Sequence, residues 1–371
     1  MQYRPYGNTG WKASRLGFGA MRLPMRAGKV DAPQSARVMH RAFEAGVNMI
    51  DSLCIYHDGM SEPTVGKAVK GRRHKVWIQT KCQAYKDLAK GETWADRFLA
   101  ALKALNVEYI DAYLMHSLAF ETFEKVGEQF VDEMQPFLAD GRLRFLGFSS
   151  HESPANIAKF IQSGMFQVML AQYNLIERDK GRVIGLAHRA GMATSAMGPV
   201  GGGRLAGQAE GLDGRLARAG YGSPEIALGF VFANEDLDVA FSGMNTFDMV
   251  EENARIASRR KRFSIEECSR LAAGFRRKAQ KAKLFCTACR YCMPCPSGVV
   301  IPRNLRLLAN ARLYGAWEIS RKRYLDMKPE ERATHCKKCG GCLKKCPQKI
   351  QIVEYLEQAA AAFEPADAAK E

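Results

Sequence analysis

Short apolar runs alternate with amphipathic helical stretches through roughly the first two thirds of the 371-residue sequence, and no other feature restricts the fold as strongly. Strand cores fall near residues 19, 49, 79, 113, 147, 170, 195 and 240. Helical patterns lie between them, for example Ser35–Ala45, Trp94–Leu105, Phe123–Ala139 and Pro154–Gly164. Eight strand–helix units in about 240 residues suit a closed (β/α)8 barrel. A doubly wound sheet is the competing architecture. It would want a Gly-x-Gly-x-x-Gly turn after the first strand, which reads as Arg15 to Met21. Gly17-Phe18-Gly19 lies inside that strand instead, with no third glycine in place. Residues 1–15 read as a short hairpin with turns at Gly7-Asn8 and Thr9-Gly10. The expected fold class is therefore α/β: a barrel over residues 1–263, a helical linker over 264–284, a mostly helical module over 285–357 and a tail over 358–371.

Three of the strands end on residues with chemistry to offer. Val47-Asn48-Met49-Ile50 runs into Asp51, with Tyr56 shortly after it. Val76-Trp77-Ile78-Gln79-Thr80 runs into Lys81, and Tyr109-Ile110-Asp111-Ala112-Tyr113-Leu114-Met115 runs into His116. Side chains at the C-terminal ends of neighbouring parallel strands converge on one pocket. A tyrosine with its ordinary pKa of ~10 is a poor acid at neutral pH. A Lys ammonium beside it stabilises the phenolate, and a carboxylate keeps that ammonium charged and placed. A histidine within reach can orient a carbonyl oxygen. The quartet thus fits protonation of a carbonyl as hydride arrives at its carbon. Cys54 and Cys82, close by in sequence, read as small buried cysteines ahead of reactive thiols. His57 and His151 also fall at strand mouths.

On these residues the chain resembles the aldo-keto reductase superfamily. The likeness begins at Tyr3-Arg4-Pro5-Tyr6-Gly7-Asn8-Thr9-Gly10 and Leu16-Gly17-Phe18-Gly19. It takes in Ser61-Glu62 and Gln172-Tyr173-Asn174 and ends at Glu251-Glu252-Asn253. The resemblance implies that Asp51, Tyr56, Lys81 and His116 are the catalytic tetrad, and that the hairpin plugs the bottom of the barrel. It implies that Ser149, Ser150 and Gln172 hydrogen-bond the carboxamide of a nicotinamide, and that Glu252 and Asn253 hold the adenine. Met197 stands where an aromatic ring usually stacks on the nicotinamide; Met packs on a ring but fixes it less well. The long loop from Gly198 to residue 222, with Gly201-Gly202-Gly203, is the one the family folds over its cofactor, and its amides can cradle a diphosphate. Gly243 and Met249 stand where the NADP-preferring branch carries Lys and Arg, so a 2′-phosphate lacks those charge-assisted partners. The implied cofactor is NAD(H) or NADP(H), with NAD(H) favoured, although Arg255 or Arg259 could reach a phosphate.

Eleven cysteines without a secretory signal argue for metal rather than disulfides. Eight fall into two groups, Cys286-x-x-Cys289-x-x-Cys292-x-x-Cys295-Pro296 and Cys336-x-x-Cys339-x-x-Cys342-x-x-x-Cys346-Pro347. The groups form an internal repeat in which Cys-Pro-Ser-Gly-Val-Val-Ile aligns with Cys-Pro-Gln-Lys-Ile-Gln-Ile. A Cys-x2-Cys-x2-Cys loop places three thiolates around one cubane cluster, and the cysteine before proline ligates the other cluster in two-cluster ferredoxins. That predicts one [4Fe–4S] cluster on Cys286, Cys289, Cys292 and Cys346, and a second on Cys336, Cys339, Cys342 and Cys295. The first group is one residue short before its last cysteine, which departs from the pattern. Zinc is the competing metal. Helical patterns over Arg303–Tyr314 and Trp317–Asp326 give the module a resemblance to the α-helical ferredoxins. The chain is thus similar to the aldo-keto reductases that carry a C-terminal 4Fe–4S ferredoxin-type domain. Ser264, with Glu266 and Glu267 after it, reads as the cap of the linking helix.

The net charge is +16, and residues 255–283 hold eleven Lys or Arg against two Glu. No nucleic-acid module accompanies that charge, so an acidic electron carrier, a ferredoxin or flavodoxin, is the expected partner beside a small carbonyl or alcohol substrate. Lys337, Lys338, Lys344 and Lys345 crowd the second cysteine group. No apolar stretch is long enough for a membrane span or a signal core, so the expected location is the cytoplasm. The expected function is a nicotinamide-dependent oxidoreductase of aldehydes, ketones or sugars with two clusters for electron transfer. Nicotinamide moves two electrons at once and a cubane moves one, so coupling them needs a converter such as a flavin. The alternative is an electron-relay or regulatory protein whose barrel binds a nucleotide or flavin without turnover.

Overall fold

The computed structural model describes residues 1–83, 91–175, 177–206, 223–259, 263–264, 266–268, 270, 286, 289–314 and 317–364. The chain divides into two compact units, Met1–Gly207 with Tyr221–Cys268, and Gln208–Gly220 with Ser269–Glu371.

The first unit is an eight-stranded parallel barrel. Its strands are β3 (Leu16–Gly19), β6 (Met49–Asp51), β7 (Trp77–Gln83), β8 (Ile110–His116), β9 (Leu143–Ser150), β10 (Val168–Gln172), β11 (Ala193–Met197) and β12 (Val239–Ser242). They pair in that order and close, with β12 beside β3. Every expected strand core lies in or next to one of them. Helices alternate with the strands, among them Ala32–Glu44, Trp94–Leu105, Phe120–Ala139 and Pro154–Gln162. Local chemistry starts them. Asp31 accepts from Gln34 N, Ser153 accepts from Asn156 N, and Thr93 with Asp96 forms a capping box.

Before the barrel, β1 (Tyr3–Pro5) and β2 (Lys12–Ser14) form the antiparallel hairpin. Its turn meets the loops that lead into β11 and β12. Asn8 N donates to Gly191 O at 2.8 Å, and the buried Asp238 carboxylate accepts from Gly7 N at 3.2 Å and Thr194 N at 2.9 Å. Gly7 has φ +48°, and a Cβ there would lie 2.3 Å from Ala193 N, so only glycine permits this approach. The buried Tyr6 ring then enters the barrel and meets Trp77 edge-on at 5.3 Å. Trp77, Gln79 and Lys81 alternate along β7, so they share one face and stack in layers from bottom to mouth. A small hairpin of β4 (Met25–Arg26) and β5 (Lys29–Val30) follows β3 and was not legible in the sequence pattern.

In the second unit the repeat is a repeat of backbone structure. Gly298 and Lys349 both have positive φ, and each N–H returns to the carbonyl of its Cys-Pro cysteine, Cys295 at 3.0 Å and Cys346 at 3.1 Å. Arg290 and Gly340, each directly after the second cysteine of its triplet, are also left-handed. Each Cys-Pro turn leads into a helix, Ile301–Tyr314 and Ile352–Phe363. The two share a core in which Leu305, Leu308, Ile352, Leu356 and Phe363 are buried, and Trp317–Leu325 covers it through Tyr324. Of the stretch expected as a tail, residues 358–363 are the second half of the last helix, and residues 365–371 lie outside the described residues. Ala359 and Phe363 are fully buried, so the alanines there are helix formers on a packed face. At Ser264, the expected cap, Glu267 N donates to Ser264 Oγ at 3.2 Å and Ser264 N to Glu267 Oε2 at 2.7 Å, which makes a capping box. Most of the expected linking helix, residues 271–284, lies outside the described residues, as does 207–222 of the glycine-rich loop.

Candidate active site and cysteine module

Lys81 is the centre of the strand-end cluster. It is 1% exposed, and its ammonium donates to Asp51 Oδ1 and to the Ser52 carbonyl, each at 2.6 Å. The Tyr56 ring lies beside it, with Nζ 5.4 Å from the ring centroid. A short turn carries Tyr56 there, closed by Tyr56 N to Leu53 O at 3.0 Å and Ser61 N to Tyr56 O at 3.2 Å. His116 is buried, and burial followed by the charges of Lys81 and His151 holds its pKa well below the usual histidine range. It is therefore a neutral imidazole, with one N–H to give and one lone pair to accept. Asp51, Tyr56, Lys81 and His116 are thus brought together at the C-terminal ends of β6, β7 and β8.

Sequence reasoning gave no role to the groups around this quartet. Gln79 Nε2 donates to Asp51 Oδ1 at 2.8 Å. Glu62 is almost fully buried and accepts from Thr80 Oγ1 at 2.6 Å. Burial raises the Glu62 pKa, and the Thr80 bond and the Lys81 charge oppose that rise. The only local hint was that Gln79 is a polar residue in an apolar run, on the face that carries Lys81. Cys82 is fully buried with its thiol on Leu114 O at 3.6 Å, a packing cysteine as expected. His57 is turned to the backbone, where its Nε2 accepts from Leu23 N at 3.2 Å.

The positions expected to hold a cofactor line the next strands. Ser149 Oγ is 3.3 Å from His116 Nδ1 and accepts from Ser117 N at 2.8 Å. Ser150 Oγ donates to Leu118 O at 2.8 Å. Gln172 is buried and donates its Nε2 to Glu177 Oε2, so its Oε1 is the accepting end of the amide. Asn174 Nδ2 donates to Gly198 O at 3.0 Å and to Glu177 Oε2 at 3.1 Å. Met197 is partly buried at the end of β11, and Gly198 has φ +63°. Asn253 Nδ2 donates to Ser242 Oγ at 3.2 Å, next to the half-buried Glu252. Arg255 and Arg259 both pair with Glu225 Oε1 at 2.7 Å, so the two cations that sequence offered to a phosphate are engaged by a buried carboxylate.

In the second unit the cysteines fall into two sets. Burial pushes the Cys292 thiol up to about 12, and the charges of Cys289, Cys286 and Cys346 add to that rise. Cys342 is raised by burial too, with Cys336, Cys339 and Cys295 adding to it. Each triplet is therefore accompanied by the Cys-Pro cysteine of the other half. Among the described residues no group of three His, Cys, Asp or Glu side chains stands close enough to hold a single metal ion.

A family model of the aldo/keto reductase family matches residues 15–273, more than half of the chain. The chain belongs to this family. A model of the 4Fe-4S dicluster domain matches residues 285–350, so an aldo-keto reductase barrel and a ferredoxin-type domain share one chain. Among curated relatives, this aldo-keto reductase is 23% identical over 279 residues to L-galactose dehydrogenase of Arabidopsis thaliana, a match covering 68% of this chain and 87% of that protein. It is 26% identical over 229 residues to NADH-specific methylglyoxal reductase of Escherichia coli (strain K12), covering 56% of this chain and 70% of that protein. A solved aldo-keto reductase of Bacillus halodurans, in its holo form, superposes with a TM-score of 0.63 at 23% identity, over 74% of this chain and 96% of that one. At that identity the likeness is one of fold. No helix among the described residues is long and apolar enough to cross a membrane.

Proposed function

We propose that the barrel interconverts a carbonyl and an alcohol, with Tyr56 as general acid in reduction and general base in oxidation. The observation that carries this is the buried ammonium of Lys81, fixed at 2.6 Å by Asp51 and by the Ser52 carbonyl with the Tyr56 ring beside it. Such a cation favours the phenolate and lets the phenol give up its proton near neutral pH. Asp51 holds the cation in place. His116, neutral at any physiological pH, orients the carbonyl oxygen without adding a second positive charge. A bound nicotinamide would supply or take the hydride. Ser149, Ser150 and the accepting end of Gln172 would hold its carboxamide, Met197 and Gly198 would lie along it, and Glu252 and Asn253 would meet the adenine. NAD(H) is the better fit, because Gly243 and Met249 offer no cation to a 2′-phosphate.

In the ferredoxin-type domain, Cys286, Cys289, Cys292 and Cys346 would hold one [4Fe–4S] cluster, and Cys336, Cys339, Cys342 and Cys295 the other. The crossed grouping of the thiols supports that division of the eight cysteines. An acidic one-electron carrier suits the exposed Lys337, Lys344 and Lys345 around the second set, and a flavin would reconcile hydride with single electrons. The test is anaerobic purification followed by assay of NADH oxidation with methylglyoxal and of NAD reduction with L-galactose, the substrates that the names of two relatives suggest. Turnover with NADH above NADPH is expected. A wild type silent across carbonyls, polyols and sugars would favour the electron-relay reading.

A further inference from the structure

The mechanism uses Asp51, Tyr56, Lys81 and His116, all at the mouth of the barrel. One line of polar groups continues below them. Gln79 is fully buried in the layer beneath Lys81, and Tyr6 is fully buried beneath that, on the hairpin at the opposite end. Tyr6 Oη donates to Gln79 Oε1 at 3.1 Å, Gln79 Nε2 donates to Asp51 Oδ1 at 2.8 Å, and Lys81 Nζ donates to the same Oδ1 at 2.6 Å. We propose that Gln79 is a positioning residue for the catalytic carboxylate and that Tyr6, beside the amino-terminal hairpin, braces Gln79 in that role. The inference rests on the reading of Asp51 and Lys81 given above.

The direction of every bond in the line is determined. A carboxylate only accepts, so the end of Gln79 that faces Asp51 is the amino end. The other end is then a carbonyl, which only accepts, and Tyr6 must donate to it. Burial drives the ionisation of Tyr6 far above the usual phenol range, so its proton is always present to give. Ser195 Oγ lies 3.5 Å from Tyr6 Oη, but it donates its own proton to Met169 O at 2.8 Å and offers Tyr6 only a long second acceptor. A reversed Gln79 amide would set a carbonyl against Asp51 and leave Tyr6 facing an amino group. Asp51 therefore selects the Gln79 orientation, and the Tyr6 hydroxyl braces it by donating to the carbonyl end that results. The plug of the barrel thereby becomes part of the site's geometry.

Two measurements test this, one with substrate and one without. With NADH and a carbonyl substrate, Gln79→Met is expected to lower kcat on the order of tenfold, the effect of one hydrogen bond to a charged group. KM for the carbonyl and the dissociation constant for NADH should stay within about twofold. Tyr6→Phe should lower kcat less, and the double variant should be no slower than Gln79→Met alone. Ser195→Ala removes only the long second acceptor of Tyr6 and keeps both bonds of Gln79, and should leave kcat within about twofold even where it lowers Tm. Without substrate, the Tm changes of Tyr6→Phe and Asp51→Asn should be non-additive in the wild-type background and additive in a Gln79→Met background. The inference is overturned if those changes add in both backgrounds, or if Ser195→Ala slows turnover as much as Gln79→Met does. Loss of the tetrad reading gives a different pattern, in which Tyr56→Phe turns over like wild type while the Tm coupling through Gln79 persists.

Discussion

Replacing Lys81 by methionine removes the cation on which the site is built and keeps most of the length of the side chain. The ammonium is 1% exposed and has two partners at 2.6 Å, the Asp51 carboxylate and the Ser52 carbonyl. Its loss leaves Asp51 buried with the Gln79 amide and without its cation, and also removes the charge that opposes the raised pKa of Glu62. Breaking a buried ion pair from one side costs about 3–5 kcal/mol. Lys81→Met should therefore lower unfolding stability by about that much. The double variant Asp51→Asn, Lys81→Met should regain at least about 2 kcal/mol of it, because the unpaired charge disappears with the carboxylate. Turnover should fall by about 10²–10⁴ in both, since neither tunes Tyr56. Chemical denaturation of the barrel and steady-state kinetics on the same preparations give the two readings. Recovery of stability without recovery of turnover is the signature. The reasoning is refuted if Lys81→Met turns over within tenfold of wild type, or if the double variant is no more stable than the single.

Other consequences are open to simpler tests. Cys346→Ser should impair the cluster of the first triplet and Cys295→Ser that of the second, each lowering iron from about eight per chain toward four; if each affects its own triplet, the crossed ligation is wrong. Burial and the Lys180 charge hold the His151 pKa down at about 4, against an ordinary ~6.5. As pH falls the unfolded chain takes up that proton first, so folded stability is lost from about pH 6.5 down to about 4. His151→Asn removes that loss, so the Tm difference between wild type and variant should be constant above about pH 7 and shift in favour of the variant below it. NADH should bind more tightly than NADPH in a fluorescence titration, as expected if Gly243 and Met249 leave a 2′-phosphate without a cation.

Much of the site was legible because its residues sit at the ends of locally readable strands. Asp51, Lys81 and His116 each close or follow an apolar run, and the parallel barrel turns those separate ends into one pocket. The cysteine groups were legible by spacing alone. What could not be read were contacts between distant segments made by residues with several ordinary roles. Tyr6 and Gln79 are 73 positions apart, and neither carries a motif. Glu62 meets Thr80 only because the helix Ser61–Val69 packs its first turn against β7. Residues 358–363 read as tail because an alanine run looks like frayed chain until Phe363 is seen buried in the core. The pairing of Arg255 and Arg259 with Glu225 was hidden for the same reason, since Glu225 lies some thirty residues upstream.

The whole scheme depends on one phenol giving its proton to a carbonyl. The most direct measurement is turnover of Tyr56→Phe with NADH and a carbonyl that wild type reduces, alongside NADH binding followed by fluorescence. A fall of about 10²–10⁴ in kcat with unchanged NADH affinity is predicted. Equal turnover in the two proteins would contradict it, and the proton would then have to come from another group at the mouth of the barrel.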